Sequence, residues 1–277
     1  MRTERIRASS ISLLLDCSYS WQGVYELGMT KPSNGRMHLG TSLHGSTKIL
    51  DTAKKDGNPI NDGDVEEVFY SVFSSPEYDV DWAHDDLVKQ QAQQIGLILN
   101  RKYHDTYTKN ITFAEVEKTI ESVIVEVPKH DIAIELTGTM DRSRVVKAEW
   151  QIGSDKPNLS YGIVDLKSGK QAVGTDGVAK TKGHAPQLGV YELIEEQTSG
   201  HKVDLPARVI GMQTTKSARI GEGTIHMAKE RLVGTDQYPG YIEIIAQILK
   251  TGSFAPNPRS WLCDKRYCPR WDVCPYR

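Results

Sequence analysis

Four cysteines stand at opposite ends of a 277-residue chain: Cys17 alone near the start, and Cys263, Cys268 and Cys274 within the last fifteen residues. Any single group held by all four must bring the two ends together, so the fold between them has to close on itself. In an oxidising compartment four thiols would suggest two disulfides. The basic start, Met1 to Arg7, is followed by no apolar stretch of secretory length, so the one-plus-three arrangement reads instead as a metal or iron–sulfur site. Zinc and a 4Fe–4S cluster both accept four thiolates. With 38% hydrophobic and 25% charged residues the chain can build a sizeable core. A net charge of −2 argues against a protein that coats nucleic acid through bulk positive charge. It leaves room for one that gathers acidic groups around metals. No stretch reaches the roughly 20 apolar residues of a membrane span, and a cytoplasmic protein without membrane contact is expected.

Hydrophobic periodicity outlines the elements. Residues 10–28 read as helical, with Ser10 as N-cap, Gly28 as stop and a break at Cys17. Thr30 to Arg36 is a loop, Leu39 to Ala53 a helix carrying His44, and Lys54 to Asp64 a polar, exposed turn. Leu87, Ala92, Ile95 and Ile98 recur at helical spacing between Asp86 and Asn100. The period then changes to two. Val123, Val125 and Val127 precede the turn Pro128–Asp131, and Ile132, Ile134 and Leu136 follow it, which is a β-hairpin pattern. Further strands are expected at Val145–Ile152, before a loop Gly153–Ser160, then at Tyr161–Lys167 and Ala207–Met212. Helices are expected from Pro186 to about Glu196 and from Tyr241 to Lys250, the latter ended by Gly252.

Four elements carry chemistry: His44, Asp141 after Gly138, the run Asp165-Leu166-Lys167, and Gln187 with Tyr191. Residues two apart on a strand share a face, so Asp165 and Lys167 point the same way. Residues four apart on a helix are neighbours, which aligns Gln187 with Tyr191. If the two strands adjoin, Asp141 and Asp165 converge on one cation, and hard oxygen ligands suit Mg2+ or Mn2+. A lysine beside such a metal can orient or deprotonate water while the metal stabilises charge on a phosphodiester.

Gly138-Thr-Met-Asp141, Val164-Asp165-Leu-Lys167 and Gln187-x-x-x-Tyr191 together resemble the core motifs of the RecB-type branch of the PD-(D/E)xK nuclease superfamily. His44 resembles the helix-borne histidine that precedes them, and the four cysteines resemble its iron–sulfur subset, which includes the CRISPR-adaptation exonucleases and the AddB nuclease domain. The resemblance spans Cys17 to Cys274; the last cysteines are spaced C-x4-C-x5-C where many members have C-x2-C-x5-C. It implies an α/β fold with a central mixed sheet flanked by helices, a restriction-endonuclease-like core. The whole chain would be one nuclease domain: a helical part at 11–60, a catalytic core at 115–215 and a cysteine-rich segment at 250–277. It further implies His44, Asp141, Asp165 and the carbonyl of Leu166 as metal ligands, Lys167 as catalytic lysine, and Gln187 and Tyr191 as positioning groups. Cys17, Cys263, Cys268 and Cys274 would hold a 4Fe–4S cluster, in preference to zinc, that staples the chain ends. The expected activity is a Mg2+- or Mn2+-dependent DNA exonuclease acting in recombination, repair, phage replication or CRISPR-type adaptation. Its expected partners are DNA with accessible ends, a helicase or a recombination or adaptation protein, and a second copy of the chain. The alternative is a catalytically quiet DNA-end-binding subunit with the same fold.

Two other patterns have plainer readings. Gly174 to Thr181 nearly spells a phosphate-binding loop, but Ala179 replaces its second glycine and no strand leads directly into it. A loop near the active-site helix is expected there, with Lys170, Lys180 and Lys182 available to phosphates. The tail interleaves Arg259, Lys265, Arg266, Arg270 and Arg277 with Trp261, Tyr267, Trp271 and Tyr276. That mixture suits a strand of DNA, and equally suits aromatic shielding of the cysteine site.

Overall fold

A six-stranded mixed sheet divides two apolar cores, and its longest strand sets the geometry of everything else. The computed structural model describes residues 1–83, 85–147 and 159–277. The strands are β1 (Arg2–Arg7), β2 (Phe113–Val127), β3 (Ile132–Lys147), β4 (Leu159–Gly169), β5 (Ala207–Gln213) and β6 (Ile220–Ile225). Along one edge β3 pairs with β2 in antiparallel fashion, as the hairpin pattern requires; the turn between them closes with Asp131 in the left-handed region. Along its other edge β3 has two partners in succession. Residues 132–137 pair with β1 in parallel, and residues 142–147 pair with β4 in antiparallel. The sheet therefore forks at Gly138–Asp141. Beyond the fork β4 continues against β5 in parallel, and β6 closes that side in antiparallel.

The helices α1 (Ile11–Asp16), α2 (Ser18–Tyr25), α6 (Ala185–Ser199), α7 (Ala228–Val233) and α8 (Tyr241–Thr251) contribute to the first core. The second lies under α3 (Gly35–Lys55), α4 (Val65–Ser74) and α5 (Lys89–Tyr103). Strand alternation feeds both: Ile163 and Val209 enter the first core, while Val164, Leu166, Ile210 and Met212 enter the second. The central mixed sheet flanked by helices is as expected.

Several boundaries moved, each for a local reason. The segment Arg2–Arg7 is a strand, because its single buried side chain, Ile6, packs beside β3. Ser10 occupies the cap position of α1, but its hydroxyl donates to the Arg7 carbonyl at 2.8 Å and caps nothing. The break at Cys17 is present, and α2 ends at Tyr25, three residues before the left-handed Gly28. Helix α3 starts within the expected Thr30–Arg36 loop because Asn34 caps it, its Oδ1 accepting from the Met37 amide at 3.0 Å. Ile98 is 46% exposed: the buried stripe of α5 is Ala92, Ile95, Leu99 and Tyr103, to which Ile98 does not belong. Strands β1 and β6 and helices α4 and α7 carried no reading from periodicity. The expected strand at Val145–Ile152 is seen to Lys147, and its remainder lies outside the described residues, as does the loop up to 158; Leu159 and Ser160 already belong to β4.

Candidate active site

The fork exposes the end of one strand pair to helices on both sides, and the candidate residues meet there. His44 comes from α3, Asp141 from β3, Asp165 and Lys167 from β4, and Gln187 and Tyr191 from α6. Helix α3 can lie this close because Gly40 has no side chain; a Cβ there would stand 2.6 Å from Ser168 Oγ. On the other side Gly138 makes room for the Tyr191 ring, which a Cβ would approach to 3.1 Å.

Asp141 bridges the fork. Its Oδ2 accepts from the Leu166 amide at 2.8 Å and lies 3.7 Å from His44 Nδ1. Burial pushes the Asp141 carboxyl up, but His44, Lys167 and Arg142 outweigh burial and hold it below its usual range. Burial likewise lowers His44, and the Asp141 carboxylate more than reverses that. Asp165 is 1% exposed, and burial raises its carboxyl to about 6 despite Lys167, whose Nζ is 2.6 Å from Oδ2. Lys167 also donates to Gln187 Oε1 at 3.0 Å, and the Gln187 amide in turn donates to Tyr191 OH at 3.0 Å and towards Asp165 Oδ1 at 3.4 Å. Lys167 thus makes one hydrogen bond, to Gln187, beside its ion pair with Asp165. His184 precedes α6; burial and the neighbouring Lys167 push its imidazole down to about 4, which keeps it neutral.

The sequence-expected residues thus converge, with one difference in detail. The donor atoms that approach one another within 4.8 Å are those of His44, Asp141 and Glu117, not those of His44, Asp141 and Asp165. Asp165 is turned into its pair with Lys167. Leu166 takes part through its amide; its expected metal-facing group is the carbonyl.

Beneath the site lies a buried polar network that periodicity did not reveal. Arg142 is fully buried, donates from Nε to Asp51 Oδ2 at 2.7 Å, and reaches the Asp141 carbonyl at 2.9 Å, Thr47 Oγ1 at 3.1 Å and Glu117 Oε1 at 3.2 Å. Tyr103 and Thr108 donate to the remaining lone pairs of Asp51 at 2.7 and 2.6 Å. The available signal was spacing: His44, Thr47 and Asp51 follow one another at three and four residues, one face of α3. The chemistry of this half-buried donor set, one imidazole and several carboxylates, fits a hard or borderline divalent cation.

The four cysteines line a small pocket together with Tyr19, Ser20, Asn257, Ser260 and Tyr276. All four are free thiols of intermediate burial. The Asn257 amide donates to Cys17 Sγ at 3.4 Å. Protein contacts join the chain ends here: Asn257 Nδ2 donates to the Asp16 carbonyl at 3.0 Å, and Ala255 N to Ser18 Oγ at 2.7 Å. The Arg270 guanidinium lies 3.6 Å over the Tyr19 ring. Trp261 and Tyr276 remain exposed, at 76% and 61%. The near phosphate-loop at Gly174–Thr181 is a turn, with Gly174 N donating to Val178 O at 2.8 Å, and α6 begins only at Ala185. Of its neighbouring lysines, Lys170 pairs with Asp86 and Lys180 with Gln171.

No curated protein is similar to this chain. Among solved structures, a crystal structure of a putative exonuclease from Eubacterium rectale aligns with 95% of this chain and 87% of its own, at 15% identity and a TM-score of 0.46, too loose a likeness to carry an argument. No helix among the described residues is long and apolar enough to cross a membrane. Residues 5–275 match the PD-(D/E)XK nuclease superfamily, and the chain belongs to it.

Proposed function

We propose that this nuclease is a Mg2+- or Mn2+-dependent DNA exonuclease of the RecB-like, iron–sulfur type, acting on accessible DNA ends within one nuclease domain. The observation that carries the reading is the convergence of Asp141, Asp165, Lys167 and Gln187 at the sheet fork, with His44 facing Asp141 from α3. Nucleases of this superfamily generally use divalent metals such as Mg2+. In the proposed centre His44, Asp141, Asp165 and the Leu166 carbonyl hold the cation, which when bound supplies charge stabilisation at the phosphodiester and acidifies water. A histidine ligand coordinates through an unprotonated ring nitrogen, so metal uptake at His44 competes with protons and weakens as pH falls. Asp165 and Gln187 aim the Lys167 ammonium, which orients the attacking water or a phosphate oxygen. Tyr191, buried against Gly138, keeps Gln187 in place. This work is positioning and electrostatics, which phosphoryl chemistry mainly requires.

For the cysteines we propose a 4Fe–4S cluster in preference to zinc. A tetrahedral zinc site with bonds of about 2.3 Å draws thiolates to within roughly 4 Å of one another. Among the described residues, the sets of donor atoms that meet within 4.8 Å contain no cysteine, although all four thiols share one pocket. The preference for the cluster rests on the resemblance of the four cysteines to those of the iron–sulfur nucleases. DNA ends, a helicase or a recombination or adaptation protein, and a second copy of the chain are the proposed partners, in the cytoplasm.

Digestion of end-labelled DNA in Mn2+, with 5′ and 3′ labels in parallel, tests the activity. Stepwise loss of one label is expected. Binding of DNA ends without cleavage in either metal would identify the quiet end-binding subunit instead.

A further inference from the structure

The proposed centre leaves one carboxylate unassigned. Glu117 lies on β2 between Val116 and Lys118, which pair with Arg142 and Met140, so it stands opposite Asp141 across the ladder. Two carboxylates opposite one another on paired strands repel. The arrangement is nevertheless built with care. Glu117 adopts φ 49°, a left-handed conformation uncommon for a non-glycine residue, inside a strand. The turn it introduces changes the face that both strands present: Lys118 reaches Glu195 of α6, and Met140 enters the first core, whereas Arg142 reaches Asp51 of α3. The fully buried Arg142 then grips Glu117 Oε1 from one side, while its other N–H groups hold the Asp141 carbonyl and Asp51. One donor atom each of Glu117, Asp141 and His44 consequently gathers within 4.8 Å.

We infer that Glu117 is a metal ligand, coordinating the same cation as His44 and Asp141. The inference rests on the metal-dependent reading and deepens it. A divalent cation at that point converts the Glu117–Asp141 repulsion into shared coordination. It also explains why a fully buried arginine serves a carboxylate that is itself partly open to solvent: Arg142, bonded to Oε1 at 3.2 Å, fixes where the Glu117 carboxylate stands. Glu117 adds to the proposed set of His44, Asp141 and Asp165, of which Asp165 is also paired with Lys167 at 2.6 Å.

Titration of the intact protein with Mn2+, read by the loss of the free-ion electron paramagnetic resonance signal, tests this without reference to cleavage. Glu117→Gln keeps the size of the side chain, and Arg142 keeps Asp51, so the fold is retained; thermal melting of the metal-free proteins checks that. The expected result is Mn2+ affinity about tenfold or more below wild type. Glu115→Gln is the control: that carboxylate pairs with Lys55 at 2.9 Å, outside the donor set, and wild-type affinity is expected. Unchanged affinity in Glu117→Gln, with wild type binding Mn2+, would overturn the role of Glu117 alone. Wild-type protein that takes up no Mn2+ would overturn the metal-dependent reading, and this inference with it.

Discussion

The centre at the sheet fork and the clasp at the chain ends are built on opposite principles. At the fork every charged group already has a protein partner: Asp141 has His44 and the Leu166 amide, Asp165 has Lys167, and Arg142 has Asp51. Burial makes unpaired charges there very costly, so the residues must be arranged before a cation or substrate arrives. At the clasp the thiols are only partly buried and the surrounding chain is made of turns. Asp16, Ser18, Asn257 and Arg270 join the two ends there by hydrogen bonds between protein groups. The proposed catalytic centre needs preorganisation, whereas the proposed clasp needs only that two segments be near enough for a cross-link to close.

The largest separation between the two regions should appear in Lys167→Ala. With its ammonium gone, cleavage should fall by about a hundred- to a thousandfold, the range lost when one preorganised donor is removed. DNA affinity measured in Ca2+ should hold. A parallel loss of affinity and rate would make Lys167 a phosphate anchor instead, and the fork a binding surface.

Next comes Arg142→Met, which leaves the buried Asp51 with Tyr103 and Thr108 but without its paired guanidinium. Breaking a buried pair from one side costs about 3–5 kcal/mol, readable by chemical denaturation. A much smaller loss would mean that the fork is held mainly by packing.

Asp165→Asn should do the reverse to stability while abolishing cleavage. The folded carboxyl takes up its proton near pH 6, against 3.8 in the unfolded chain. The metal-free folded state therefore binds more protons between those values, and its stability falls as pH rises from about 4 to 6. In chelator at pH 8 the variant should be more stable than wild type by about 1–3 kcal/mol, shrinking towards zero at pH 4. An equal difference at both pH values would show that Asp165 is not the titrating group.

The smallest effect belongs to the clasp. Cys274→Ala should bleach the brown absorbance near about 400 nm expected of a cluster and lower the melting temperature by a few degrees, equivalent to about 1–2 kcal/mol. Mn2+ affinity at the fork should not change. Colourless wild-type protein with one equivalent of zinc would keep the clasp and replace its group. A variant with neither colour nor melting changed would leave the thiols idle.

Much of this was readable from one dimension. Asp165 and Lys167 are two apart on a strand, Gln187 and Tyr191 four apart on a helix, and local geometry alone puts each pair on one face. The hairpin around Pro128–Asp131 and the break at Cys17 are equally local, written in turn residues and in a change of period. The fork itself is not local. It exists because β1, formed by residues that carry little alternation, and β4, more than 150 residues later, share one edge of β3 in succession. Only that long-range pairing stations Asp141 between two strands and within reach of α3. Glu117 and Arg142 depend on it most. Their side chains matter through a left-handed residue and a buried charge pair, and both are conformations that residue types permit but only the packed sheet can impose.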